Sequence, residues 1–423
     1  MITARAFAGK HYAVYGLARS GLATVEALLA SGAQVTAWDA KEEARARAPA
    51  GTQIADLDET DLGQFDSLVV TPGLPLNRHP IARRARDAGV EIIGDIELFA
   101  RARPELPPHK VVGITGTNGK STTTALVHHI LKTAGVPTAM GGNIGLPILA
   151  QDPLPEGGVY VLELSSYQID LTQSLDCDVA VLLNITPDHL DRYESFEAYA
   201  ASKARLFSMQ WLEHSAIIAD DDPCTTLIAN KLVDPRRVSR RDIALQIAWP
   251  ALQGPHNAQN VAAASATAEA LGVDKYDVAE ALRTFPGLPH RMERVREKDG
   301  VAFVNDSKAT NPTATAPALA AFEKIRWICG GQAKTDSLDE CAPHFGHVRT
   351  AYTIGEAADL FERLLSPHMP VKNCGKLGCA VREAAADAEA GDTVLLSPAC
   401  ASFDQFRDFE DRGDQFRRLV EDL

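Results

Sequence analysis

The sequence predicts an α/β protein of three domains with mainly parallel sheets. Strand-like apolar runs alternate with longer helical segments almost throughout, starting with HYAVYG, a helix through Val25 to Ala30, AQVTAWD and SLVVTPG, as layered parallel sheets require. Two breaks divide this series, the Pro-rich RARPELPPHK at Arg101–Lys110 and FPGLPHRMERVREKDG at Phe285–Gly300. They set domains at residues 1–100, 101–288 and 289–423, which suits a 423-residue chain at roughly 100 to 200 residues per domain.

Composition narrows the partners. Hydrophobic residues make up 45% and charged residues 23%, the balance of a folded globular chain. The net charge of −14 argues against a nucleic-acid groove, so an anionic ligand must find local positive sites. No apolar leader opens the chain and no window reaches about 18 uninterrupted apolar residues, so neither a secretory signal nor a membrane span is expected. The seven cysteines are scattered and never spaced C-x-x-C, which fits reduced thiols. A cytoplasmic monomer that inserts into no membrane is expected.

The first domain opens with strand HYAVY, the turn Gly16-Leu17-Ala18-Arg19-Ser20-Gly21, a helix, and strand QVTAW ending at Asp39. This is the G-x-G-x-x-G diphosphate turn of a Rossmann-like domain with Ala18 in place of the middle glycine, and with an acid about 20 positions on. The Ala18 methyl stands where a dinucleotide's pyrophosphate approaches, so a nucleotide held in another pose fits better than NAD. The strand end VVTPGLP sets Thr71 and Gly73 in a second loop at the same sheet edge.

The second domain starts with VVGITGTNGKSTT, a buried strand, a Gly-rich turn and a helix start. Such a P-loop converges the amides of Gly116, Thr117, Asn118 and Gly119 on phosphate oxygens. Lys120 neutralises charge, Ser121 offers a Mg²⁺ ligand, and Thr122 extends the helix start. The first glycine stands at Gly113, one place early for G-x-x-x-x-G-K-S. VYVLELSSYQ carries Glu163 where an apolar strand stops, the position of a metal-directed carboxylate. VAVLLNITPDHLDRY puts Asn184, Asp188, His189 and Asp191 beyond another apolar strand, where ligands of parallel sheets collect.

In SFEAYAASKARLF, Phe196, Tyr199, Ala200, Lys203 and Phe207 share one helical face, so Lys203 lies on the apolar side. Two readings stay open for it: a packed stem with the ammonium reaching water, or a desolvated amine of lowered pKa. GPHNAQN places Asn257 and Asn260 at a helix start, where they either cap the helix or read a purine ring. His290 and Arg291 in GLPHR are candidates to touch a phosphate. The third domain, also Rossmann-like, ends three strands in polar loops: FVNDSKATNP, with Asp306 and Thr310; WICGGQAKTD, with Lys334; and VLLSPACASFDQF, with Ser402. Two lysines and several hydroxyls at adjacent strand ends suit a small carboxylate ligand.

Taken in order, GITGTNGKSTTT, GGNIG, ELSSYQ, TPDHLDRY, the helix lysine, GPHNAQN, GLPHR, DSKATN and LLSPACASFDQF resemble the Mur ligase family over nearly the whole chain. GLARSG, DSKATN and SPACASFDQF look most like the member that adds D-glutamate to UDP-N-acetylmuramoyl-L-alanine. The resemblance implies a ligase in peptidoglycan precursor synthesis that uses ATP and two Mg²⁺ ions. An acceptor carboxylate would attack the γ-phosphate, and an amine the resulting acyl phosphate. It implies that Ser121, Glu163, His189 and a carbamylated Lys203 hold metal, and that Asn143 lies near the reacting phosphate with Lys120. Asn257, Asn260, Arg291 and Asp306 would then be near the nucleotide. Ala18, Arg19, Ser20, Asp39, Thr71 and Gly73 would receive the UDP substrate, and Thr310, Lys334, Ser402 and Phe409 the amino acid. A sister ligase adding another amino acid, a P-loop ATPase coupling hydrolysis to partner binding, and an NAD-dependent oxidoreductase are the rival readings.

Overall fold

The computed structural model describes residues 1–188, 191–244 and 246–423. Its strands are β1 (His11–Tyr15), β2 (Gln34–Trp38), β3 (Gln53–Ile54), β4 (Ser67–Val70) and β5 (Glu91–Ile93), then β6 (His109–Thr115), β7 (Thr138–Gly142), β8 (Gly158–Glu163), β9 (Val179–Leu182), β10 (Ser215–Ala219) and β11 (Arg236–Val238). A third series comprises β12 (Glu293–Lys298), β13 (Val301–Asn305), β14 (Ile325–Gly330), β15 (Val348–Ile354), β16 (Val371–Gly375) and β17 (Thr393–Leu396). Five helices bear on the sites: α1 (Arg19–Ala30), α2 (Lys120–Thr133), α3 (Phe196–Ser208), α4 (Pro255–Ala270) and α5 (Phe409–Glu421).

Three sheets result, in the orders β3-β2-β1-β4-β5, β11-β10-β9-β6-β8-β7 and β12-β13-β17-β14-β15-β16. Every pairing is parallel except the β12–β13 hairpin. The three-domain, mainly parallel α/β architecture that the alternating pattern predicts is therefore the architecture found. Its central strands are continuous apolar runs because helices cover both faces: β4, β8, β9 and β17 are buried at every residue. In the first and third sheets the chain reverses direction across the sheet. That reversal opens a crevice at the strand carboxyl ends, beside β1 and β4 in one and beside β13, β14 and β17 in the other.

The chain forms two compact units, Met1–Ala248 with Pro255–Thr284, and Trp249–Gly254 with Phe285–Leu423. The first holds two sheets. Glu97, 1% exposed, joins them by accepting the Gln173 amide at 2.7 Å and the Ser174 amide at 2.9 Å. Among the described residues no helix is long and apolar enough to cross a membrane.

Candidate active site

The phosphate loop leaves β6 at Thr115 and enters α2 at Lys120. Gly116 and Gly119 have φ of 150° and 83°, and a Cβ on Gly119 would run into the Asn260 amide oxygen, so this tight turn needs glycine there. The loop is held from outside by Asn184, at the end of β9. Its carbonyl accepts the Thr117 amide and its side-chain oxygen the Asn118 amide, both at 2.8 Å. The Asn184 amide group donates to Gln259 at 2.7 Å, and Gln259 in turn donates to Asp221 at 2.9 Å. This chain of bonds ties the loop to α4 and to the end of β10.

Lys120 donates to the carbonyls of Gly116, at 3.0 Å, and Thr117, at 2.7 Å. Lys203 reaches the same Gly116 carbonyl from α3 at 2.9 Å. The Lys203 side chain is almost wholly buried, at 2% exposure, and its ammonium lies 4.6 Å from the centre of the Tyr199 ring. Burial, and then the charge of Lys120, bring its pKa down to about 7. Of the two readings open for this lysine, the desolvated amine is the one found.

Glu163 ends β8, paired in register with Ile114 of β6 and Gly142 of β7, and is 2% exposed. Its Oε1 accepts the Asn143 amide group at 3.1 Å, and its Oε2 has no hydrogen-bond partner among the described residues. A buried carboxylate oxygen without a partner is costly unless a cation takes it up. Ser121, in the first turn of α2, is also buried. Among the described residues no group of three or more His, Cys, Asp or Glu side chains could enclose a metal by itself. One carboxylate oxygen beside such a loop could take part in holding a hard cation that draws its other ligands from phosphate and water. His189 lies outside the described residues.

Asn257 and Asn260 belong to α4. Asn260 donates to Asn257 at 3.0 Å and accepts from Thr123 of α2 at 3.2 Å, which fastens α4 to the helix of the phosphate loop.

At the first sheet, the turn Gly16–Gly21 leads from β1 to α1. A Cβ on Gly21 would strike the Gly16 carbonyl, so the helix packs tightly on the turn. Asp39 uses both carboxylate oxygens on backbone, accepting the Leu17 amide at 2.7 Å and the Lys41 amide at 2.9 Å. It ties the turn after β1 to the end of β2. Ala18 precedes the first residue of α1, Arg19 donates to the Gly145 carbonyl at 3.1 Å, and Ser20 lines a small cavity with Thr71. The loop after β4 is gripped by Arg192, which donates to the carbonyls of Leu74 at 2.8 Å and Gly73 at 3.3 Å and lies 4.2 Å from the Tyr167 ring centre. Arg192 thereby joins the loop of Thr71 and Gly73 to the strand end that carries Asp188.

In the second unit, Asp306 follows β13, accepting from the Ser397 hydroxyl at 2.8 Å and the Met292 amide at 3.2 Å. Full burial raises its pKa to about 7, against the bonds from Ser397 and Met292 and the charge of Arg291. The folded state then keeps a proton that the unfolded chain loses near pH 4, so stability falls as pH rises from about 4 through 7. Asp306→Asn should raise the unfolding temperature of this unit at pH 8, by an increment that shrinks toward pH 4. An increment independent of pH contradicts the assignment. Lys334 donates to Thr310 at 3.4 Å, which brings the DSKATN and GGQAKTD loops together. Ser402 is buried, and Phe409 starts α5 with the Lys308 ammonium 3.8 Å from its ring centre.

Asn184 stood out in the sequence, but Gln259, Arg192 and Arg412, the last wholly buried in α5 and bonded to Ser307 and Cys400, did not. Each lies in a helix or loop where a polar side chain reads as solvated surface, and only packing reveals it as an inward tie.

Three family descriptions match this chain: "Mur ligase MurD-like, N-terminal domain" at residues 10–94, "Mur ligase middle domain" at 114–241, and "Mur ligase, glutamate ligase domain" at 290–400. Proteins named UDP-N-acetylmuramoylalanine--D-glutamate ligase from Novosphingobium aromaticivorans and Sphingopyxis alaskensis are each 61% identical over all of this chain and over 97% and 100% of their own lengths. One from Caulobacter vibrioides is 45% identical, again over the whole chain. Two solved structures from Thermotoga maritima share the fold. A UDP-N-acetylmuramate-alanine ligase has a TM-score of 0.62, with 98% of this chain and 99% of that one covered, and a MurF ligase in complex with ADP also has 0.62, with 98% and 96% covered; each is 18% identical.

Proposed function

Because the chain belongs to the Mur ligase family, we infer that it is an ATP-dependent ligase that joins D-glutamate to UDP-N-acetylmuramoyl-L-alanine, in peptidoglycan precursor synthesis. The full-length 61% identity to ligases of that name carries the choice of substrates. In this reading residues 1–100 bind the UDP substrate, 101–288 bind ATP and 289–423 bind the amino acid, in a cytoplasmic monomer that takes no nucleic acid and inserts into no membrane.

The residues suit the chemistry. The loop Gly116–Gly119 and the Lys120 ammonium hold the ATP phosphates, with Thr122 in the same helix start, while the Thr117 and Asn118 amides, which donate to Asn184, fix the shape of the loop. Asn257 and Asn260, fixed to α2 by the bond from Thr123 to Asn260, are suited to the adenine, and Arg291 and Asp306 are candidates for the nucleotide. The acceptor carboxylate attacks the γ-phosphorus and ADP leaves. The amine of D-glutamate then attacks the acyl carbon, the carbon–oxygen bond to phosphate breaks, and phosphate leaves as nitrogen gives up one proton. Ser121 and Glu163 would hold one Mg²⁺, and His189 with Lys203 a second. When bound, these ions offset negative charge that builds on the phosphoryl oxygens. Asn143 keeps the Glu163 carboxylate aimed. Ala18, Arg19, Ser20, Thr71 and Gly73 line the UDP crevice, which Asp39 holds in shape.

For Lys203, a half-neutral amine can add to the carbon of CO₂. The ammonium first gives up one proton; the nitrogen lone pair then bonds to the carbon of CO₂ as one carbon–oxygen π bond opens onto oxygen, and a second proton leaves nitrogen, so that with two protons released a cation becomes a carboxylate-like anion. That reverses its repulsion with Lys120 and makes it a metal ligand.

Thr310, Lys334, Ser402 and Phe409 would receive D-glutamate, Lys334 supplying the cation for one of its carboxylates. Replacing Lys334 with Ala should raise the KM for D-glutamate by about tenfold or more and leave that for ATP within about twofold, as loss of one charged contact predicts. Weakened ATP binding with an unchanged KM for D-glutamate would reassign this loop.

A further inference from the structure

Arg412, in the first turns of α5, is wholly buried at 0% exposure, and its bonds run almost entirely to backbone. Nε donates to the Ser307 hydroxyl at 2.9 Å and Nη2 to the Ser307 carbonyl at 2.8 Å. Nη1 and Nη2 both donate to the Cys400 carbonyl at 3.2 Å, and Nη1 also to the Ala401 carbonyl at 3.3 Å. The Ala401 carbonyl in turn accepts the Gln332 amide at 2.9 Å, and the Gln332 carbonyl accepts the Ala401 amide at 3.0 Å. Gly331, with φ of 132°, packs so closely that a Cβ there would come within 3.2 Å of Arg412 Nη1. One guanidinium therefore fastens together the loops after β13 and β17, and the Gln332–Ala401 backbone bridge joins the loop after β14 to them.

Two features show that this cation does more than fill space. A buried guanidinium with no hydrogen-bonded carboxylate among the described residues pays a desolvation penalty that carbonyl dipoles only partly offset, and a packed apolar side chain would avoid it. The nearby Asp404 carboxylate spends Oδ2 on the Glu356 amide. The loop it clamps also holds Ala399 at φ of 58°, a left-handed conformation that a residue with a Cβ adopts only when its surroundings impose it. Arg412 grips the two carbonyls that follow, Cys400 and Ala401, and these immediately precede Ser402. Through Ser307 it sets the loop of Thr310, and through Ala401 and Gln332 the loop of Lys334.

We propose that Arg412 is a positioning residue that sets the spacing of the amino-acid-binding loops, so that Thr310, Lys334 and Ser402 match a dicarboxylic amino acid. The proposal rests on the assignment of these loops to the amino acid. The planar fork is essential, because five N–H groups in one plane reach two loops at once, whereas an ammonium has three donors on a point charge.

The test is steady-state kinetics of Arg412→Met and Arg412→Lys beside Lys334→Ala, with amide hydrogen exchange at Gln332 and Ala401. Both Arg412 variants should raise the KM for D-glutamate by about tenfold or more, leave those for ATP and the UDP acceptor within about twofold, and speed exchange at those two amides. Should Arg412→Met fail to fold, Ser307→Ala removes one acceptor and leaves the guanidinium in place, and it should give the same selective rise at smaller size. A folded variant with an unchanged KM for D-glutamate, or with all three KM values raised alike, overturns the proposal if Lys334→Ala still acts selectively on D-glutamate. If neither Lys334→Ala nor the Arg412 variants touch that KM, the assignment of the loops has failed instead.

Discussion

Lys203→Ala should fold normally and lose kcat by a factor on the order of 10³, the scale of removing a charged group that acts at the reacting phosphate. Lys203→Arg does no better. The reasoning starts from two ammonium groups on one carbonyl, Lys203 at 2.9 Å and Lys120 at 3.0 Å from the Gly116 oxygen. With burial, their repulsion takes the Lys203 pKa to about 7, so near neutral pH the amine is about half unprotonated. Carbamylation of the neutral form converts the clash into an attraction. An arginine keeps the positive charge and cannot make this adduct. Formate or acetate should therefore restore part of the activity of the Ala variant, by placing a carboxylate where the carbamate stood, and none of the Arg variant, whose side chain fills the space. Turnover of the Ala variant near that of the parent, or full activity of the parent in rigorously CO₂-free buffer, would show that Lys203 serves as a plain buried amine.

Glu163→Gln has the second large effect. The substitution preserves shape and the Oε1 acceptor for Asn143, but it replaces the unpartnered Oε2 with an amide nitrogen that cannot ligate a cation. The expected loss in kcat is on the order of 10² to 10³, with the Mg²⁺ concentration for half-maximal activity raised. The same change removes a buried carboxylate oxygen, Oε2, that has no hydrogen-bond partner among the described residues, so the variant should unfold at a higher temperature than the parent in Mg²⁺-free buffer. A Gln variant with the parent's Mg²⁺ dependence would free Glu163 from the metal role. One that is also less stable would give it a structural role through Asn143.

Much of this was legible in the sequence, because it depends on local order. Strand, glycine turn and helix start follow one another at Val111–Thr122, and Glu163 stands where an apolar run stops, so their placement at one sheet edge follows from parallel topology. The apolar periodicity of α3 likewise put Lys203 inward. Two points escaped it. Asp39 has the spacing of a ribose-binding acid, yet both its oxygens hold backbone amides, which spacing cannot reveal. Arg412 sits in FEDRGDQFRR, a stretch that reads as a solvated charged face; its burial arises because residues more than 100 positions away, such as Ser307, fold over it. Long-range ties of this kind have no periodicity to betray them.

A ligase of this kind cleaves ATP only with two further substrates present, and phosphate release from the full-length protein with ATP and Mg²⁺ measures that dependence. A grid of UDP-muramoyl acceptors against amino acids, each also omitted in turn, supplies the comparison. Sustained release should occur with UDP-N-acetylmuramoyl-L-alanine and D-glutamate together, and fall to background when either is absent. Steady release with neither present would contradict the account in favour of an ATPase working on a partner. Release that prefers another amino acid or acceptor would contradict it in favour of a sister ligase.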